Sequence, residues 1–155
     1  MDFSIPTALR SLSLAGSAMR AITAWQKKSR GDSRALISEL KDNLLYLDMV
    51  AEDDVELGEV IGKVSIAEFR RLSREGFDFN TLKKSRIAGY PSLAGTDLAA
   101  WGGKSTEALV ESIYDKINDL KIRYPHVARN EKYRWQVRVN NIRKRIWLLL
   151  RHVSD

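Results

Sequence analysis

Apolar side chains recur at steps of three and four along most of this chain, the spacing of one buried face of an α-helix. Pro6 suits a first turn, and Ala8, Leu12, Ala15, Met19 and Ile22 then follow, predicting a helix over residues 6–26. Gly31 breaks the pattern. A second helix is predicted from Asp32 or Ser33, either able to cap it, to about Ala51, with Leu36, Leu40, Leu44, Leu47 and Val50 as its stripe. The acidic run from Glu52 to Glu59 predicts only a short helix, weakened by Gly58 and Gly62.

Ser65 and Glu68 have capping-box spacing ahead of Phe69 and Leu72, and Gly76 is a natural left-handed stop. Residues 77–104 lose the period and hold Gly89, Pro91, Gly95, Gly102 and Gly103. Their apolar residues Tyr90, Leu93, Leu98 and Trp101 predict an ordered Gly-rich loop packed on the helices. Ser105 then caps a helix carrying Leu109, Ile113, Ile117, Leu120 and Tyr124, which Pro125 is expected to end. The last helix, predicted from about Asn130 to the C-terminus, places Trp135, Val139, Ile142, Ile146, Leu149 and Val153 within an arc of about 80°. The expected fold is all-α: one domain over residues 1–155, a bundle of four long helices with a short inserted helix and that loop.

Composition narrows the chemistry. The 155 residues contain no cysteine, which removes disulfides, thiolate-bound metals and thiol nucleophiles, and fits a reducing, cytoplasmic setting. No apolar run reaches the roughly 20 residues of a membrane span. Charge is segregated: residues 31–60 carry Arg34 and Lys41 against nine acids, while residues 129–155 carry eight basic groups against Glu131 and Asp155. That last stretch alone matches the net charge of +6. A basic helix of this kind suits phosphates or an acidic protein surface unless the acidic second helix covers it.

Candidate sites follow from these charges. Arg134, Arg138, Lys144, Arg145 and Arg151 are expected to bind RNA or DNA phosphates, with weak sequence specificity, or an acidic protein. Trp147 lies at about 120° from Trp135 around the helix and could stack on a base, anchor a protein, cover a neighbouring helix or form a dimer contact. Gly102, Gly103, Lys104, Ser105 and Thr106 resemble the end of a phosphate loop, but Leu98 stands where its earlier glycine belongs. What is left is an anion site at a helix N-terminus formed by Lys104 and Ser105. No metal or cofactor is expected, because His126 and His152 are far apart and the Asp53–Glu59 stretch lacks the ligand order of a calcium loop.

Two other readings compete with a non-catalytic interaction module. Arg145 and His152 are separated by six residues on the last helix, and such a pair in a basic helical bundle resembles the ribonuclease signature of the HEPN (higher eukaryote and prokaryote nucleotide-binding) family. The resemblance implies metal-independent RNA cleavage by Arg145 and His152 meeting across a homodimer. It departs from the family pattern at Ile146, where a polar residue usually follows the arginine. The third reading is a membrane-active bundle that releases helix 6–26, a segment with basic groups and no acid after Asp2.

Overall fold

The computed structural model describes residues 31–155. Both the helix expected over 6–26 and the membrane-active reading built on it lie outside the described residues. Among those described, 72% are helical and none is in a strand, so the fold is all-α. There are five α-helices: α1 (Asp32–Glu52), α2 (Leu57–Val60), α3 (Ala67–Arg74), α4 (Thr106–Val127) and α5 (Trp135–Ser154). None of them is long and apolar enough to cross a membrane.

Helix α5 packs on both α1 and α4, and its predicted stripe lies at the centre of the core: Val139, Ile142, Ile146 and Leu149 are all buried. The stripes of α1 and α4 close on it with Leu36, Leu40 and Leu47 from one side and Leu109, Ile113 and Ile117 from the other. Trp147 is also buried, so of its expected roles it covers a neighbouring helix, and it cannot stack on a base. The physical reason is that α5 is covered on more than one side, which widens its buried arc beyond the predicted stripe.

Helix α3 starts differently from the expectation. Ser65 and Glu68 do not cap each other; Ile66 occupies the N-cap position without a side-chain bond, and Glu68 turns to Arg71 at 2.8 Å. The Ser65 hydroxyl accepts only from the Ala67 N–H, at 3.2 Å, and the rest of the cap comes from another helix. Glu39 of α1 accepts from the backbone N–H groups of Glu68 (2.8 Å) and Phe69 (3.3 Å) and from the Ser65 hydroxyl (2.9 Å). Asn43, one turn further along α1, holds the Ser65 backbone through both its amide groups. A buried carboxylate at a helix N-terminus satisfies orphan donors and complements the dipole, which a local serine does less well.

Three further boundaries shift. Gly31, with φ 62°, precedes α1 with no side-chain cap, while Asp32 pairs with Arg71 at 3.0 Å instead. Pro125 does not stop α4, which continues to Val127, because in the last turn the proline removes only its own donor. Helix α5 begins at Trp135 rather than near Asn130. A 3-10 turn, Glu131–Tyr133, intervenes, capped by the Asn130 side chain accepting from the Lys132 N–H. Residues 77–104 carry three more 3-10 turns and bury Phe79, Leu82, Ile87, Leu93 and Leu98 against the helices.

Candidate functional site

The cations expected to face a partner are distributed unevenly along α5. Lys144 and Arg145 both reach Asp97, at 3.2 and 3.3 Å, and Arg145 also donates to the Asn141 carbonyl. Burial alone would raise the Asp97 carboxyl, but the charges of Lys144 and Arg145 outweigh it and hold it below its ordinary range. Arg151 lies over the Tyr90 ring, 4.5 Å from its centroid, and 3.6 Å from Asp155. The middle and end of the basic helix are therefore largely matched from within.

Arg143, which periodicity did not single out, is the most deeply enclosed cation. Its Nε donates to Asp48 at 2.7 Å, one terminal nitrogen to Glu52 at 2.8 Å, and the other to Asn140 at 2.8 Å. Burial raises the Asp48 carboxyl, and the Arg143 guanidinium opposes that rise. The acidic second helix thus does compensate α5, but through one buried arginine rather than across the whole basic face.

Arg145 and His152 stay on one helix and have different neighbours. His152 is 3% exposed, and its Nε2 lies 2.8 Å from the Thr106 hydroxyl. The same hydroxyl also lies 2.7 Å from the Lys83 carbonyl, so Thr106 links the ring to the segment before α4. Burial, followed by the Lys83 charge, lowers the imidazole pKa and favours the neutral ring. His152 ties the end of α5 to the start of α4.

The Lys104 and Ser105 pair is engaged in the same way. The Ser105 hydroxyl accepts from the Ala108 N–H, the Asn80 side chain accepts from the Glu107 N–H, and Lys104 sits 4.6 Å from the Trp101 ring centroid. An anion at this N-terminus would have to displace donors already in use.

The corner where α4 gives way to α5 is different. Residues 115–138 hold seven basic groups against Asp115, Asp119 and Glu131. Tyr133 stacks on Trp135 with ring centroids 5.2 Å apart and planes 14° apart. Lys132, Arg138 and Arg123 lie 5.2, 5.4 and 5.9 Å from the Tyr133 centroid. Arg138 is also fixed by the Tyr133 carbonyl at 2.7 Å and by Asp119 at 3.2 Å. Arg134 is exposed, has no side-chain partner among the described residues, and adopts φ 50°, ψ 61°. Only one other described non-glycine residue, Asp54, has a positive φ. Side chains with a Cβ seldom sit there, so the backbone stores strain to place this arginine.

A cleft of about 480 Å³ opens beside Arg134, Tyr133, Arg138 and Asn141, with Asp115 and Lys116 across it on α4. A second, of about 390 Å³, is also lined by Arg134, with Arg129, Glu131, Trp135 and Val137. No group of three or more metal-ligating side chains occurs among the described residues. Compared with known proteins, the chain matches no family model, no curated protein and no solved structure.

Proposed function

We propose that this protein is a non-catalytic interaction module that binds an acidic partner, nucleic acid phosphates or an acidic protein surface, at the α4–α5 corner. The observation that supports this reading is Arg134: an exposed, unpaired guanidinium held on a strained backbone and lining two clefts, with Lys132 and Arg138 beside it on an aromatic support. Aromatic rings under cations keep long side chains extended and lower the entropy lost when they engage an anion. The binding face is therefore the start of α5, with Arg134 and Arg138 central. Lys144, Arg145 and Arg151 have a lesser part, since Asp97 and Asp155 already offset them. The ribonuclease reading would need His152 to leave the core, and no observation favours it.

Charge reversal separates the two ends of the helix. Binding of a fluorescent oligonucleotide and of a poly-glutamate peptide is measured at low salt for Lys132→Glu with Arg134→Glu, and for Lys144→Glu with Arg151→Glu. The first pair should lose at least about tenfold in affinity for whichever polyanion binds, and the second should change little, because its charges are already matched. Absence of binding to both polyanions, or equal loss from the two pairs, would overturn the proposal.

A further inference from the structure

Trp135 also lines an acidic cleft. This third cleft, about 310 Å³, lies between α2 and the start of α5 and is lined by Asp54, Glu56, Tyr124, Trp135 and Gln136, with Val50 and Leu57 among its apolar walls. The Asp54 and Glu56 side chains are exposed and have no partner among the described residues, and neither has the Tyr124 hydroxyl. The Tyr124 and Trp135 rings stand nearly perpendicular, at 79°, with centroids 5.2 Å apart. Two unpaired carboxylates, a phenol oxygen and aromatic rings are the groups that receive an organic cation, while Val50 and Leu57 suit the methylenes that carry it.

The Arg134 cleft, whose charged lining is Arg129, Arg134 and Glu131, and the acid-lined cleft share Ala128, Trp135 and Gln136. An occupant that lies along them meets Arg129 and Arg134, with Glu131 beside them, in one cleft and Asp54 and Glu56, with no cation, in the other. A nucleic acid strand carries a negative charge at every residue, so its run past Trp135 would set phosphates against two carboxylates. A polypeptide can place an acidic side chain and a basic one a few residues apart. Resting on the reading of the corner as an acidic-partner site, we infer that the partner is a polypeptide, and that an arginine or lysine side chain of it enters the Asp54–Glu56–Tyr124–Trp135 cleft while an acidic side chain meets Arg134.

Four probes test this on the full chain: an all-glutamate peptide, a peptide of equal length in which one glutamate is replaced by arginine at successive positions, a single-stranded oligonucleotide, and arginine amide alone. The best mixed peptide should bind at least about tenfold more tightly than the all-glutamate one. Asp54→Asn with Glu56→Gln should erase that advantage, leave all-glutamate binding unchanged or stronger, and strengthen the oligonucleotide. Asparagine tolerates the left-handed backbone of residue 54, so this variant keeps the fold, as circular dichroism would verify. Equal affinity for mixed and all-acidic peptides, an advantage that survives the double substitution, or an oligonucleotide that outcompetes every peptide would each overturn the inference. Failure of the parent reading looks different. In that case neither polyanion responds to Lys132→Glu with Arg134→Glu, while arginine amide still perturbs tryptophan fluorescence in a manner abolished by Asp54→Asn with Glu56→Gln.

Discussion

The Tyr114 hydroxyl donates a 2.9 Å hydrogen bond to the Glu39 carboxylate across 75 positions of sequence, joining α4 to α1 at the point where Glu39 also caps α3. Burial, and then the adjacent negative charge, pushes the phenol well above its ordinary pKa, so it stays a donor throughout the working range of pH. The ring itself stacks on Phe69 of α3, with centroids 4.3 Å apart and planes 6° apart. Three helices therefore meet at one carboxylate.

That junction should be felt unequally from its two sides. Tyr114→Phe removes one hydrogen bond to a charged acceptor and keeps the stack, a loss of about 1.5–3 kcal/mol. Glu39→Ala strands the Tyr114 hydroxyl together with the donors at the start of α3, and should cost more than Tyr114→Phe. Urea unfolding of both variants compares them directly. A smaller loss for Glu39→Ala would mean that water replaces the carboxylate without penalty and that α3 needs no cap from α1.

Arg143 should prove equally unforgiving. Its guanidinium uses all three nitrogens on Asp48, Glu52 and Asn140 while its side chain is 4% exposed. Arg143→Ala removes the partner of the half-buried Asp48 and should cost about 3–5 kcal/mol. Arg143→Lys should recover only part of this, because an ammonium cannot reproduce the planar fork. If lysine restores full stability, the contact works through charge alone.

Periodicity exposes helices whose buried face is continuous, which is why the stripes of α1, α4 and α5 were legible. Around α1, Asn43 falls at about 340° from Leu36, inside the arc from Val50 at about 320° to Leu40 at about 40°, and Glu39 borders that arc at about 300°, so both polar groups lie where burial demands partners. Around α5, Arg143 falls at about 80° from Trp135, between Val139 and Trp147. The corner was less accessible. The backbone of Arg134, the pairing of Lys144 and Arg145 with Asp97, and the two clefts that share Trp135 depend on segments brought together in space, and no sequence spacing encodes them.

The end of α5 should be sensitive to acid. Burial depresses the His152 pKa below its ordinary value of 6.5, so between the folded and unfolded values the unfolded chain binds more protons. The contribution of this residue is therefore complete above about pH 7 and is lost as pH falls below 6.5 through the folded value. His152→Gln keeps a hydrogen-bonding group for Thr106 and does not titrate. The melting temperature of the wild-type protein should drop more between pH 7 and pH 5 than that of this variant, and parallel curves would show that His152 is protonated without cost.

Arg134 offers the sharpest separation of binding from stability. A left-handed non-glycine residue costs about 1–2 kcal/mol, and glycine removes that cost while adding about 0.5–1 kcal/mol of unfolded-state entropy. The Arg134 side chain has no partner among the described residues, and glycine is an acceptable residue at the N-cap position of α5. Arg134→Gly should therefore leave stability unchanged or raise it by up to about 1 kcal/mol, while affinity for the acidic partner falls. Arg134→Lys, which keeps both charge and strain, should retain most of the binding without gaining stability. Most substitutions at structurally needed residues destabilise, so a gain in melting temperature together with a loss of binding would mark a residue kept in strain for its contacts with a partner. A loss of stability in Arg134→Gly would instead mean that the side chain supports the turn, and the case for a binding corner would lose its central residue.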